Sequence, residues 1–278
     1  MAIITLTTDF GEKDHFAGVI KGAIYSEMHD IRIVDISHSI SPFNISEAAY
    51  IIQNAYRSFP KGTIHVIGVD SELNPENKHI ALKLDDHFFI CANNGIMSMI
   101  CSEIVPEKIV EINIHDKIQT SFPVLDVFAK VACHIARGGT LEVIGKMISE
   151  IKPIKHITPF VNEDKSQIIG RVIYIDNYGN VVTNIKKSFF DSIQKGRLFE
   201  ISARNNKFKT IHKKYSDFIN FDIPEDKRHD EGRGLVVFNS GNFLEIAVYK
   251  SNCATVGSAA TLMGLNLMDT VSVNFLKE

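Results

Sequence analysis

Apolar residues in the first 140 positions follow two different spacings. Short runs rich in β-branched residues predict strands, and they read AIITLTTDFG, IRIVDIS, TIHVIGV, HIALKL, FFICAN and KIVEINI. Between them, apolar residues recur at helical spacing over residues 16 to about 28 and over residues 45–59. Asn44 and Glu47 occupy capping-box positions at the start of the second stretch. Strands that alternate with helices predict an α/β domain with a largely parallel sheet, covered on both faces.

The spacing changes after about residue 140. The stretch KMISEIKPIKHITPFVNEDKS holds two prolines and no regular period, which is typical of a connection between domains. Beyond it, the runs IIGRVIYID, NVVTNI, LFEISAR, FLEIAVY and TVSVNF are separated by turns and predict a small β-barrel or sandwich. The sequence therefore predicts an α/β domain over residues 1–155 and a smaller β-barrel domain over residues 165–278.

Composition and charge narrow the class of protein. Hydrophobic residues make up 45% of the 278 positions, which is typical of a globular protein with a sizeable core. The net charge of -3 and the lack of a basic stripe argue against a nucleic-acid partner. The sequence shows no signal peptide, no apolar segment of membrane-spanning length and no paired-cysteine motif. We therefore expect a cytoplasmic protein with free thiols and no membrane partner.

Polar side chains follow the ends of several predicted strands. They are Asp9, Asp70, the pair Asn93–Asn94 and the segment 176–180, which begins with Asp176. Ligands bind beyond the carboxyl ends of strands in α/β sheets, so a shared site is favoured, although one such residue usually shapes only a turn. Asp9, in TTDFG, leaves two interpretations equally open: an Asx turn, or a carboxylate that binds vicinal hydroxyls.

Several common catalytic signatures are missing from the chain. It contains no GxGxxG, GxxxxGK[ST], GxSxG or HExxH motif, and its 11 histidines are dispersed, so no metal site is predicted. The stretch DNYGNVVTNI is explained either as a hairpin turn or as a ligand contact, and its density of polar residues favours the second. Ser240, in the turn FNSGNF, is a candidate hydrogen-bond donor.

Motifs that occur in a fixed order along the chain resemble one enzyme family. They are TTDFG, DHFAGVIKG, VDISHSISPFNI, FPKGTIHVIGVD, NNG, DNYGNVVTNI and NSGNFLEIAV, and they extend over nearly the whole chain. In these motifs the sequence resembles the S-adenosylmethionine hydroxide adenosyltransferases, relatives of the fluorinase and the chlorinase. The resemblance implies an α/β domain followed by a β-barrel domain. It also implies a homotrimer that holds S-adenosylmethionine between one subunit's first domain and a neighbour's second.

The resemblance further implies ligand roles at the matching positions. Asp9 would bind the ribose hydroxyls, and Phe43 would form an aromatic wall beside the ribose and the methionine. Asp176 would meet the methionine ammonium, and Asn180 would meet the adenine edge. Ser240 would bind the methionine carboxylate.

The implied reaction is the attack of water or hydroxide on the 5′ carbon of S-adenosylmethionine, which gives adenosine and methionine. The protein would desolvate and align a weak nucleophile against a sulfonium. Asp70 matches the family's aspartate at this strand end and is the predicted catalytic residue, and Asn94 is a predicted ligand-binding residue. S-adenosylmethionine is the substrate, and we expect no cofactor.

Two of the three residues that act on water in hydrolytic relatives are absent from their usual positions. Asn77 stands where an arginine is expected, and Pro123 with Val124 stands where a histidine and its neighbour are expected. Lys78 is the predicted catalytic replacement, although it lacks the bidentate fork of arginine. His79 is the other candidate, and its sequence position favours an exposed strand residue.

Three functions therefore remain open, in order of preference. The first is a divergent S-adenosylmethionine hydrolase that forms adenosine. The second is a protein that binds S-adenosylmethionine or adenosine without rapid turnover. The third is adenosyl transfer to another nucleophile, with halide disfavoured because Pro123 and Val124 form an apolar wall without small polar donors.

Overall fold

The computed structural model describes residues 2–101, 104–114, 120–155, 157–228, 230 and 232–276. The chain divides into two compact units, Met1–Lys155 and His156–Glu278. No helix among the described residues is both long enough and apolar enough to cross a membrane.

The first unit contains strands and helices in alternation. The strands are β1 (Ile3–Thr8), β2 (Arg32–Ser37), β3 (Ile64–Gly68), β4 (His79–Leu84), β5 (His87–Ala92), β6 (Lys108–Ile112) and β7 (Gly145–Met147). The helices are α1 (Phe16–Glu27), α2 (Ile45–Ala55), α3 (Ile96–Ile100) and α4 (Ala129–Ala136), with 3-10 turns at Tyr56–Ser58 and Leu141–Val143 and a π turn at Val124–Phe128. As the sequence predicts, Asn44 caps α2, because its Oδ1 accepts a hydrogen bond from the Glu47 amide at 3.1 Å.

These strands form one sheet in the order β2-β1-β3-β5-β4-β6-β7. The neighbours from β2 to β5 run parallel, and β4, β6 and β7 join antiparallel. The predicted α/β class is confirmed, and the parallel part comprises β2, β1, β3 and β5, including the two strands whose ends carry Asp9 and Asp70. Asp85 and Asp86 make the tight β4–β5 turn with φ of 52° and 61°, as a type I′ hairpin requires.

Both faces of this sheet are covered by helices. Alternate strand residues such as Leu6 and Val66 pack with α1 and α4 in one buried cluster. Their neighbours on the other face, such as Ile67 and Leu82, pack with α2 and α3 in a second cluster. The strands are therefore continuous apolar runs, because each face of the sheet is buried.

The second unit is predominantly antiparallel β structure. Its strands are β8 (Phe160–Val161), β9 (Gln167–Ile175), β10 (Val181–Lys186), β11 (Phe199–Ala203), β12 (Asn206–Phe208), β13 (Gly234–Phe238), β14 (Phe243–Val248) and β15 (Thr270–Phe275). Its helices are α5 (Lys187–Gln194) and α6 (Ala259–Met263), with a 3-10 turn at Glu225–Lys227.

The strands of the second unit are arranged as a barrel-like sheet in the order β12-β11-β15-β9-β10-β14-β13, with β8 paired to β9. The inner face holds a single apolar cluster that includes Ile168, Leu244 and Val271. The prediction of a C-terminal β-barrel is therefore confirmed in its main feature.

Candidate active site

Two aspartates meet at the ends of adjacent parallel strands in the first unit. Thr8 of β1 lies opposite Gly68 of β3, so Asp9 and Asp70 leave the sheet side by side. Oδ2 of Asp9 accepts hydrogen bonds from the backbone amide of Phe43 at 2.9 Å and from that of Asp70 at 3.4 Å. The Asx-turn interpretation of Asp9 is thus replaced by long-range contacts to two other loops.

The two residues that Asp9 holds have unusual backbone conformations. Phe43 has φ of 62° and Asp70 has φ of 45°, in the left-handed region that costs about 1–3 kcal/mol for residues other than glycine. The carboxylate of Asp9 helps to hold both loops in that conformation. Its second oxygen, Oδ1, has no hydrogen-bond donor among the described residues, so it is available to a ligand.

Asn94 stabilises the backbone on either side of Asp70. Its Nδ2 donates to the carbonyl oxygens of Val69 and Asp70, each at 3.1 Å, and its Oδ1 accepts from the Ile96 amide at 3.2 Å. The side chain is buried. The structure thus gives Asn94 the role of positioning Asp70, and its predicted contact with a ligand stays a prediction.

The loop after Asp70 is organised by amides and by one lysine. Oδ1 of Asn74 accepts from the amides of Glu76 and Asn77, each at 2.9 Å. Nζ of Lys152 donates to Oδ1 of Asn77 at 3.0 Å and to the carbonyl oxygen of Glu76 at 3.4 Å. Lys78 is exposed, and its ammonium has no hydrogen bond or ion pair with any described residue.

An apolar wall stands against the end of β3. Pro123 and Val124 are both buried, and a Cβ built on Gly68 would lie 2.9 Å from a methyl group of Val124. A larger residue at position 68 would therefore require the Val124 side chain to shift. The π turn Val124–Phe128 places this wall, and such turns occur frequently at functional sites.

Aromatic rings extend this apolar region. Phe122 packs against Phe10 with 5.4 Å between ring centroids and against Phe16 with 5.5 Å, in both cases edge to face. Phe10 directly follows Asp9 in the sequence. The carboxylate of Asp9 therefore belongs to a chain segment that is anchored in an aromatic cluster.

A buried histidine, His38, lies between the end of β1 and Asp35. Nδ1 of His38 lies 2.7 Å from Oγ1 of Thr8, and its Nε2 lies 3.1 Å from Oδ1 of Asp35. Burial alone would raise the pKa of Asp35, but the hydrogen bonds from Lys21 and His38 outweigh burial and lower the pKa. His38 is thus a buried residue that hydrogen-bonds to Thr8 at the end of β1.

In the second unit, Asp176 organises the hairpin between β9 and β10. Its Oδ1 accepts from the amides of Tyr178 at 2.9 Å and Asn180 at 2.8 Å, and its Oδ2 accepts from Nδ2 of Asn180 at 3.0 Å. Gly179 has φ of 72°, and a Cβ there would lie 2.2 Å from Oγ of Ser258. The hairpin is therefore confirmed. Oδ1 of Asn180 is buried without a hydrogen-bond partner among the described residues.

Ser240 lies in the exposed turn between β13 and β14. Asn239 holds this turn, because its Oδ1 accepts from the amides of Gly241 at 3.0 Å and Phe243 at 3.1 Å. Its Nδ2 donates to Oε2 of Glu245 at 3.0 Å. Burial raises the pKa of Glu245, the hydrogen bonds from Tyr215 and Asn239 oppose this, and the charge of Asp176 adds to it.

Two family models together match most of the chain. The SAM (S-adenosylmethionine) hydroxide adenosyltransferase N-terminal domain matches residues 4–145, and the C-terminal domain of the same name matches residues 170–272. The chain belongs to this family.

Curated members and relatives of the SAM hydroxide adenosyltransferases match over most of their length. A protein from Methanocaldococcus jannaschii, named (R)-S-adenosyl-L-methionine hydrolase, is 28% identical over 98% of this chain and 95% of its own. A protein from Actinopolyspora mzabensis, named fluorinase, is 22% identical over 68% of this chain and 73% of its own.

Two solved structures share the fold. An uncharacterised conserved protein from Thermotoga maritima has a TM-score of 0.81 and 28% identity, and the match covers 99% of this chain and 100% of that one. A conserved hypothetical protein from Thermus thermophilus has a TM-score of 0.72 at 20% identity, with coverage of 99% and 100%. The second likeness concerns the fold alone.

One expectation about the family's missing histidine is wrong. His79 is fully buried rather than exposed, and its ring lies edge-on to Phe128 with 4.8 Å between centroids. Its Nε2 lies 2.9 Å from the carbonyl oxygen of Ser71. The cause is the sheet order, since β4 lies between β5 and β6 and both of its faces are covered.

Sequence reasoning missed one residue in each unit that the structure places beside a predicted site segment. Lys152 contacts the loop after Asp70, but it lies in the stretch that was interpreted as a connection. Glu245 lies in the predicted strand FLEIAV. The signal that could have identified it is that it is the single acid in an otherwise apolar run. Among the described residues, no group of three or more metal-ligating side chains is present.

Proposed function

We propose that this chain hydrolyses S-adenosylmethionine by attack of water or hydroxide on the 5′ carbon, with adenosine and methionine as products. The observation that carries the proposal is the contact between Asp9 and Asp70 at the ends of adjacent parallel strands, where the Asp70 amide donates to Asp9. The hydrolase from Methanocaldococcus jannaschii supports it, because that relative matches this chain over nearly its full length.

The first unit supplies the groups nearest the reacting carbon. The unused Oδ1 of Asp9 accepts hydrogen bonds from the ribose hydroxyls, and Phe43, which is 74% exposed, offers its ring to the ribose and methionine side. The carboxylate of Asp70 orients the attacking water and favours its deprotonation as the new bond forms. Lys78 provides positive charge near this loop.

The apolar wall contributes to the rate through the charge of the leaving group. The sulfonium is positive in the ground state, and its charge disperses as methionine leaves as a neutral thioether. Pro123 and Val124 solvate a cation poorly, so they destabilise the charged ground state relative to the transition state. The same wall offers no donor for halide, which disfavours halogenation.

The second unit supplies contacts for the two ends of the ligand. The buried Oδ1 of Asn180 is an acceptor without a partner among the described residues, which suits the exocyclic amine of adenine. Asp176 meets the methionine ammonium, and Ser240, which is exposed in its turn, meets the methionine carboxylate. S-adenosylmethionine is thus the substrate, and no resident cofactor enters the proposed reaction.

A second candidate function is binding of S-adenosylmethionine or adenosine without rapid turnover. The observation that favours it is the loop after Asp70, where Asn77 is hydrogen-bonded to Lys152 and the ammonium of Lys78 is exposed without a partner among the described residues. Lys78, with no partner to hold it among the described residues, would not fix a positive charge beside the attacking water, so turnover would be slow.

Product analysis separates the two functions. Purified protein is incubated with S-adenosylmethionine, and adenosine and methionine are followed by chromatography. We expect Asp70→Asn to lower the rate by about 10²-fold or more, as removal of a general base does. The matched control is Glu72→Gln, which neutralises an exposed acid in the same loop and leaves the rate unchanged. Tight binding without product from the wild-type protein would favour the second function.

We also propose a homotrimer in the cytoplasm, as the family resemblance implies. The exposed Phe43 at a predicted ligand position supports an assembly that covers it. A mass measurement by light scattering should give three chains per particle, and a monomer at all concentrations would contradict this part of the proposal.

A further inference from the structure

Glu245 is a buried acid that none of the roles above uses. It lies in the middle of β14 and only 3% of it is exposed. Its neighbours Leu244 and Ile246 belong to the inner apolar cluster, so Glu245 projects to the outer face of the sheet. On that face, Val237 and Ala247 pack with Phe218 from the connection between β12 and β13.

Strand register places Glu245 on the same face as the hairpin aspartate. Glu245 lies opposite Val182 of β10, and Val182 lies opposite Tyr174 of β9. Residues that are directly opposite each other project to the same face, as do residues two apart along one strand. Asp176 follows Tyr174 by two positions, so both carboxylates approach the same region of the outer face.

Two hydrogen bonds connect Glu245 to other parts of this face. Its Oε1 accepts from the Tyr215 hydroxyl at 2.8 Å, and its Oε2 accepts from Nδ2 of Asn239 at 3.0 Å. Asn239 in turn fixes the turn that contains Ser240. Glu245 therefore joins two segments, the turn after β13 and the connection before it, beside the hairpin of Asp176.

The charge in this region is unbalanced. Neither Glu245 nor Asp176 forms an ion pair with a lysine, arginine or histidine among the described residues. A buried carboxylate is costly without a compensating cation, and a second carboxylate nearby adds to that cost. The buried Oδ1 of Asn180, which has no partner within the described ranges and whose Nδ2 is bonded to Asp176, is an independent sign that a polar ligand belongs here.

We propose that Glu245 is a positioning residue for substrate binding, and that it acts with Asp176 to favour a ligand that carries a primary ammonium. It does so by holding the Ser240 turn through Asn239 and by adding a second negative charge on the face where Asp176 lies. This inference rests on the proposed function, because it assigns the end of the ligand that the second unit recognises. It does not require contact between Glu245 and the reacting carbon.

The test compares two probes that differ only at the amino-acid end. S-adenosylhomocysteine carries the ammonium and carboxylate, whereas 5′-methylthioadenosine carries neither. Binding of each is measured by calorimetry with the full chain. We expect Glu245→Gln to lower the preference for S-adenosylhomocysteine by about tenfold or more, the usual effect of one charged interaction, and to leave 5′-methylthioadenosine unchanged. The matched control Glu225→Gln neutralises an exposed acid and keeps the wild-type preference.

A second variant separates charge from packing. Tyr215→Phe removes the hydroxyl donor but keeps the carboxylate of Glu245, so the preference should persist. Should Glu245→Gln not fold, Tyr215→Phe still tests the inference in the same measurement, because it keeps both the charge and the hydrogen bond from Asn239.

Equal weakening of both probes by Glu245→Gln, or an unchanged preference, would overturn the inference. Loss of the preference in Tyr215→Phe, which keeps the carboxylate and its hydrogen bond from Asn239, would overturn it as well. If the wild-type chain binds neither probe, the proposed function itself fails, and that outcome is distinct from a failure that affects only the preference.

Discussion

Asp9 and Asp176 are both aspartates at strand ends, but they serve their units differently. Among the described residues, the carboxylate of Asp176 accepts hydrogen bonds only from Tyr178 and Asn180, within four positions. Asp9 takes its hydrogen bonds from Phe43 and Asp70, which are 34 and 61 positions away. Asp176 builds a hairpin, whereas Asp9 joins loops from distant parts of the chain. The same residue type can thus form a local turn or anchor distant segments, and only the long-range anchor changes the geometry of several loops at once.

The largest expected effect comes from removing the anchor. Asp9→Ala loses the ligand contact and the hold on Phe43 and Asp70, so we expect kcat/KM for S-adenosylmethionine to fall about 10³-fold. Asp9→Asn keeps an acceptor oxygen for both amides and should lose only about tenfold, since a neutral acceptor is weaker than a charged one. The gap in kcat/KM between the two variants combines the lost ligand contact with the lost hold on the loops.

Amide hydrogen exchange provides the structural readout for this pair. The amides of Phe43 and Asp70 should exchange faster in Asp9→Ala than in Asp9→Asn. Equal exchange and equal activity in the two variants would show that Asp9 acts only on the ligand, and the contrast with Asp176 would disappear.

A substitution at Gly179 tests how much the Asp176 hairpin contributes to stability. Gly179→Ala forces a Cβ to within 2.2 Å of Oγ of Ser258 at a left-handed backbone position, so we expect a loss of about 3 kcal/mol in the free energy of unfolding. Gly196→Ala is the matched control, because φ there is 84° and nothing lies within 4 Å of the added Cβ. It should cost only about 1 kcal/mol, measured by chemical denaturation.

A more gradual effect, spread over several pH units, concerns acid and the first unit. Burial, together with the neighbouring His87, lowers the pKa of His65 to about 3, and His65 also contacts Thr5 with Nδ1 to Oγ1 at 2.7 Å. In the unfolded chain His65 is protonated below about pH 6.5, whereas in the folded chain it stays neutral down to about pH 3. The free energy of unfolding therefore falls as the pH drops through this window. The expected slope is about 1.4 kcal/mol per pH unit from this group.

Denaturation of His65→Leu at several pH values checks this slope. The variant lacks the titrating ring, so its stability should change less between about pH 6.5 and about pH 4, while wild-type stability falls. A wild-type slope that the substitution leaves intact would assign the acid sensitivity to other groups.

Much of the fold follows from local pattern. The existence of β1 and α1 and the cap at Asn44 depend on neighbours within a few positions, and the structure agrees with each prediction. The positions of Asp9 and Asp70 at adjacent strand ends follow from parallel pairing, which alternation of strands and helices predicts.

What local pattern did not predict depends on contacts between distant residues. His79 begins a strand, and its sequence neighbours do not indicate that Phe128, 49 positions later by number, covers it. Lys152 is similar, since its contact with Asn77 spans 75 positions. Such residues carry no periodic signal because their partners are set by sheet order and by loop packing rather than by spacing.

The contact of one Asp9 oxygen with two loops has a thermodynamic consequence. A ribose bound at Oδ1 and a partner chain that both favour the ordered form of the Phe43 and Asp70 loops are thermodynamically linked. The factor by which the partner chain raises ribose affinity equals the factor by which ribose raises the affinity for the partner chain. A partner chain that packed on the exposed ring of Phe43 would therefore tune substrate affinity at a distance, without touching the substrate. Subunit assembly and substrate binding would then be coupled through the same loop equilibrium.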